Sequence, residues 1–259
     1  MRILFLIPGG PQEQLRILPL AAAVAQQLGV QLQVACPAAA GGVWKLLPAV
    51  EKVLPYEFSS GGALADWANL LGSVREPDFQ AVLNFSSGWS IDLLLSCSHI
   101  PLRVARGGFS CTAPIDPAAP LEAFLAPLGL SLPSQPFRLS LPAKALEKAV
   151  QQQPAGEGPL LVLAPRGDSK DWAAAQWQAL PALVRQKLPQ ARVSTLSPGS
   201  PLEQAAQVAN ADVLVSSDPS ANQLAQLSGV TLVNLAALST TGELEHLESS
   251  QVLQALGLS

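Results

Sequence analysis

Apolar residues fall in short blocks along almost the whole chain, separated by stretches in which they recur every three or four positions. Ile3 to Ile7 is the first block, stopped by Pro8-Gly9-Gly10. It reads as a buried strand over 2–7, and the periodic stretch behind it as a helix over 12–28. Strands are expected next at 31–35, 52–58, 80–85 and 102–105, with helices at 42–50, 62–75 and 90–99 between them. The rhythm breaks over the proline-rich 107–142, which has one helical pattern at 121–130. A helix at 143–153 then leads into a polar loop at 154–158. Alternation restarts with strands at 159–164, 192–196, 212–216 and 230–235 and helices at 172–188, 202–210 and 220–228. Residues 242–258 read as one or two helices.

Strands that alternate with helices need right-handed crossovers, which produce a parallel sheet covered on both faces. The expected class is α/β, with two doubly wound, Rossmann-like domains facing a cleft. They span 1–135 and 158–259, joined by a linker at 136–157.

Composition narrows the function. Only 13% of the 259 residues are charged, for a net charge of −4, against about 25% in an ordinary soluble domain. With 49% hydrophobic residues the chain is not disordered. Without clustered basic residues it is not a nucleic-acid binder. Cys36, Cys97 and Cys111 are an odd count at irregular spacings without a CxxC, which points to a reducing compartment rather than to disulfides or zinc. No apolar run is long enough for a signal core or a transmembrane segment, so a cytoplasmic location is expected. His99 and His246 read as structural or solvated, and two histidines assemble neither a Ser-His-Asp set nor a metal cluster.

Ligands of open α/β sheets bind beyond the carboxyl ends of the strands. Three loops there carry the candidate chemistry. In the first, Gly9 and Gly10 let backbone approach an anion, and Glu13 sits in the first turn of a helix. Glu13 is either a carboxylate favoured by the helix dipole or a general base. In the second loop Arg166 and Lys170 can clamp a phosphate with Ser169 donating a hydrogen bond; the alternative is a solvated loop with Asp168 or Asp171 capping the next helix. In the third, Asp218 before Pro219 is a strong N-cap signal. The same helix N-terminus can instead seat a diphosphate, with Asp218 or Ser220 touching a sugar hydroxyl. Ser86 and Trp89, in the segment that ends the strand at 80–85, are candidates for an acceptor side. Trp172 and Trp177 read as packing residues.

Taken together, these loops resemble glycosyltransferase family nine, the heptosyltransferase-like enzymes. That family opens with a strand, a Gly-Asp loop and a helix carrying Leu-Pro-Ala; here Met1-Arg2-Ile3-Leu4-Phe5 leads to Glu13 and Leu18-Pro19-Leu20 at the same spacing. Lys170-Asp171-Trp172-Ala173 with Trp177 is similar to the family's Lys-x-Trp-Pro segment. Asp218-Pro219-Ser220 with Gln223-Leu224-Ala225 occupies the place of Asp-Thr/Ser-Gly followed by His. The departures are Gln12 for glycine, Glu13 for the aspartate base, Pro219 for threonine, Ser220 for glycine and Gln223 for histidine.

The resemblance implies transfer of a heptose-like sugar from a nucleotide-diphosphate donor to a glycan or lipid-linked acceptor. Glu13 would be the base, and Gly9, Gly10, Arg166, Ser169, Lys170, Asp218 and Ser220 would lie on the donor and diphosphate side. Ser86 and Trp89 would lie on the acceptor side. No metal or other cofactor is implied beyond the nucleotide-sugar co-substrate, and the protein would work in the cytoplasm or at a membrane surface. The altered motifs support a second reading, a degenerate protein of the same fold that binds a stable protein partner. The low charge suits that reading, because charged residues are depleted at interface cores.

Overall fold

A computed structural model describes residues 2–58, 64–75, 78–239 and 243–258. The expected starts of helices at 62 and 242 lie outside these residues. The chain divides into two compact units, Met1–Phe137 and Arg138–Ser259.

In the first unit six strands are parallel: β1 (Arg2–Leu6), β2 (Gln31–Cys36), β3 (Val50–Pro55), β4 (Phe79–Asn84), β5 (Leu102–Ala105) and β6 (Ala113–Pro114). Their spatial order is β3-β2-β1-β4-β5-β6. This is the doubly wound order, which reverses direction between β1 and β4. Ile3 to Leu6 of the central β1 are fully buried, as an unbroken apolar run covered on both faces should be. Among the described residues three α-helices accompany the sheet: α1 (Pro11–Leu28), α2 (Leu64–Arg75) and α3 (Trp89–Cys97).

Two expected helices of this unit take a tighter form. The helix expected at 42–50 is a 3-10 helix at Ala38–Leu46. Gly41 lies so close to β3 that a Cβ there would sit 3.2 Å from Val53 Cγ1, and the strand it precedes starts at Val50 rather than 52. The helix expected at 121–130 is also 3-10, at Leu121–Leu128, closed by Gly129 at φ 71°. β6 was not expected: two residues carry no alternating pattern.

The second unit has four parallel strands, β7 (Leu160–Ala164), β8 (Arg192–Thr195), β9 (Val213–Ser216) and β10 (Thr231–Asn234). They are ordered β10-β9-β7-β8, with the reversal between β7 and β9. Its helices are α4 (Ala143–Gln151), α5 (Ala174–Lys187), α6 (Pro201–Ala209), α7 (Pro219–Ser228), α8 (Leu235–Leu238) and α9 (Ser249–Ala255). α4 packs against α6, and Lys148 Nζ meets Glu203 Oε1 at 2.6 Å. Among the described residues no helix is long and apolar enough to cross a membrane.

Candidate functional site

Each sheet reverses direction once, and each reversal brings two candidate loops together. In the first unit the Phe85 amide donates to the Leu6 carbonyl at 2.9 Å. The loop after β4 therefore runs beside the Pro8-Gly9-Gly10 turn. Gly9 has φ +90°, a left-handed value, and a Cβ there would lie 2.8 Å from Glu13 Cγ. Only glycine lets the Glu13 side chain fold back over the turn.

Glu13 is the third residue of α1 and is exposed. Its carboxylate has no hydrogen-bond or ion-pair partner among the described residues. The turn beneath it is held by Gln14, a residue the sequence did not single out. Fully buried Gln14 donates through Nε2 to the carbonyls of Ile7 (3.1 Å) and Gly9 (3.2 Å), while its Oε1 accepts from Trp44 Nε1 at 2.9 Å. Its signal was a polar side chain on the apolar stripe that continues through Ile17, Leu18 and Ala21.

Beyond β4 a pocket of about 210 Å³ is lined by Asn84, Ser86, Asp92, Arg106 and nearby glycines. Asn84 Oδ1 accepts from the Ser86 amide (3.0 Å) and hydroxyl (2.6 Å), which turns the chain. Buried Asp92 accepts from Ser110 Oγ at 2.6 Å. Arg106 donates to the carbonyls of Asp116, Pro117 and Ala119 and lies 5.6 Å over the Phe124 ring. Neither Asp92 nor Arg106 belongs to a short motif, so neither was visible beforehand. Trp89 is 71% exposed and does not line this pocket.

In the second unit the loop after β7 meets the loop after β9. The Ser217 amide donates to the Ala164 carbonyl at 3.2 Å, and the Arg166 amide donates to Ser217 Oγ at 2.9 Å. Asp171 joins the two loops. Its Oδ2 accepts from the Gly167 amide at 2.7 Å, and its Oδ1 accepts from the Trp172 amide (2.7 Å), Ser217 Oγ (2.6 Å) and Trp177 Nε1 (3.2 Å). Burial alone would raise its pKa, but these hydrogen bonds outweigh it and hold the carboxyl below its ordinary value.

The capping reading of this loop is therefore corrected. α5 starts at Ala174, with Ala173 as N-cap and no side-chain cap. Asp171 binds loop amides instead, and Asp168 accepts from the Lys170 amide at 3.0 Å. The Ala173 carbonyl accepts the first helical bonds, from the Gln176 and Trp177 amides, so the helix begins two residues later than expected. Trp172 is buried, donates to the Leu247 carbonyl at 2.7 Å and meets Trp177 edge-on, so both rings serve packing. Arg166 Nε is paired with Asp168 Oδ2 at 2.5 Å. Ser169 and Lys170 are exposed, and their side chains have no partner among the described residues.

Asp218 is the N-cap of α7. It accepts from the Ser220 amide at 3.1 Å and the Ala221 amide at 3.2 Å. Pro219 has no N–H, and the Asn222 amide donates to the Asp218 carbonyl at 3.0 Å. Every first-turn donor of α7 is thus engaged. The Asp218 carboxylate thus fills the positive end of the helix, as the N-cap signal predicts.

By sequence, no protein-family model matches the chain, and no curated protein matches it. By structure the likeness is extensive. Heptosyltransferase WaaC of E. coli, solved with ADP-2-deoxy-2-fluoro heptose, superposes with a TM-score of 0.73 over 99% of both chains at 16% identity. E. coli ADP-heptose lps heptosyltransferase II gives 0.72 over 99% of this chain and 98% of its own, at 17% identity. A family 9 glycosyl transferase from Veillonella parvula DSM 2008 gives 0.70 over 90% and 80%, at 13% identity. The two parallel α/β sheets of this chain, with their reversals beside Glu13 and Arg166, are the heptosyltransferase-like fold of glycosyltransferase family nine.

Proposed function

We propose that this chain transfers a sugar from a nucleotide-diphosphate donor, with Glu13 as the base. The observation that carries the reading is the unpartnered Glu13 carboxylate, held over the Gly9 turn at the point where the first sheet reverses. A general base needs a free lone pair beside its substrate, and an acid tied up in an ion pair does not offer one. Glu13 would accept the proton of an acceptor hydroxyl as that oxygen attacks the anomeric carbon and the bond to the diphosphate breaks. Lys170 and Arg166 would neutralise the departing diphosphate, with no metal required. The similar E. coli WaaC structures, solved with ADP and with ADP-2-deoxy-2-fluoro heptose, favour an ADP-linked, heptose-like donor. Ser86, in the pocket beyond β4, would lie on the side of a glycan or lipid-linked acceptor, in the cytoplasm or at a membrane surface.

A second reading is favoured by the donor-side geometry itself. Asp168 neutralises Arg166, and Asp218 occupies the α7 amides. Both contacts suit a degenerate protein that binds a protein partner rather than a diphosphate. The two readings separate on ADP release from ADP-heptose with candidate acceptors, measured for the wild type, E13Q and K170A. Transfer by the wild type that E13Q lowers about 10²-fold or more supports the enzyme. Rates unchanged in both variants contradict the assignment.

A further inference from the structure

We propose that Asp171 is the positioning residue of the donor-side loop, fixing the backbone from which Arg166 is presented to a nucleotide diphosphate. The inference rests on the donor-side reading above. Its basis is where the Asp171 hydrogen bonds end. The two amides that bracket the Arg166 Cα are both held: its own N–H by Ser217 Oγ, and the following Gly167 N–H by Asp171 Oδ2. Ser217 Oγ in turn donates to Asp171 Oδ1. One carboxylate therefore sets both peptide planes on either side of Arg166, directly through one and through Ser217 for the other.

The chemistry asks for a carboxylate at this place. Four donors converge on Asp171, and among the described residues no cation pairs with it. An asparagine would turn an NH₂ group toward at least one of those donors. The grip also spans the two loops at the reversal of the second sheet, residues 165–173 and 217–218, which are far apart in sequence. Gly167 has φ +77°, so the loop has no intrinsic preference for one shape and needs an external tie. Arg166 itself stays exposed, and a fixed backbone lowers the ordering cost of bringing its side chain onto an anion.

D171N is the informative variant. The three bonds to Oδ1 can persist while the bond from Gly167 to Oδ2 is lost. ADP binding by calorimetry, amide exchange of residues 165–172 and the thermal midpoint would be measured on the full chain. We expect ADP binding to weaken about tenfold and the Gly167 amide to exchange about tenfold faster, with the β7 amides little changed and the thermal midpoint lowered at neutral pH, where the ionised Asp171 contributes stability. S217A should weaken ADP binding in the same direction, which keeps the test open if D171N folds poorly. Wild-type binding of ADP with unchanged affinity in both variants overturns the positioning role and leaves the donor reading intact. A wild type that does not bind ADP overturns the donor reading, and this inference falls with it.

Discussion

Trp44 Nε1 donates to Gln14 Oε1 at 2.9 Å, and the amide on the same side chain donates to the Ile7 and Gly9 carbonyls. The turn carrying the candidate base is thus pinned from inside the first unit, by a tryptophan of the 3-10 helix at Ala38–Leu46. Trp44 is 1% exposed, so removing its N–H leaves a buried acceptor unpaired. W44F should destabilise by about 1–3 kcal/mol through that group alone, and Q14A by a similar amount. Q14A should also loosen the amides of residues 8–10. Thermal unfolding together with amide exchange checks both effects. Unchanged exchange in Q14A would show that the turn is held by something else.

Glu13 and Gly9 form a linked pair of tests. Glu13 is exposed and unpartnered, so E13Q should change stability by no more than about 0.3–1 kcal/mol, the usual worth of an acid in a first helical turn. G9A should act through position rather than charge. Its Cβ would meet Glu13 Cγ at 2.8 Å and force the side chain away, besides straining a left-handed backbone by about 1–3 kcal/mol. G9A is therefore expected to lose activity as E13Q does, while also lowering the thermal midpoint. Full activity in G9A would place the base elsewhere.

The Arg166–Asp168 ion pair makes a prediction of unusual sign. If Arg166 serves an anion, Asp168 competes for it, and removing Asp168 should tighten ADP binding. An exposed pair is worth about 0.2–1 kcal/mol, so D168A should improve affinity up to about fivefold, and R166A should weaken it. Weaker ADP binding in D168A would mean that Asp168 helps hold the ligand.

Acid stability follows from two carboxyls of the second unit. Asp171 is held below its ordinary value, where hydrogen bonds outweigh burial. Glu203 is lowered to about 2 by Lys148 and by Ser200, but its side chain is half-exposed. A depressed carboxyl contributes stability above its unfolded pKa and loses it as the pH falls through the folded one. The second unit should therefore keep its full stability above about pH 4.5 and lose it progressively toward pH 2. Denaturant titrations across that range should show a shallower pH dependence in D171N. E203Q should change little, and less still at high salt.

Much of the fold was legible because a buried parallel strand is an unbroken apolar run stopped by glycine or proline. Ile3 to Ile7 before Pro8-Gly9-Gly10 shows this, and the loops at the sheet reversals could be located from such stops. Expected ends failed where a contact distant in sequence decided them. β3 begins at Val50 because Leu32 of β2 pairs with it there, and α5 begins at Ala174, behind a loop that Asp171 ties to Ser217. The candidate site divides in the same way. Glu13, Arg166 and Asp218 stand beside strand ends and helix starts, where local spacing marks them. Asp171 and Ser217 meet across 46 positions, and Gln14 reaches Trp44 across 30. No local pattern encodes either bond.

The proposed sugar transfer needs a donor site around Arg166 and Lys170. Calorimetric titration of ADP-heptose into the wild type, E13Q and an R166A/K170A double variant tests it most directly. Saturable binding that survives in E13Q and is lost in the double variant is the expected result. No binding by the wild type, or equal binding by all three proteins, would contradict it.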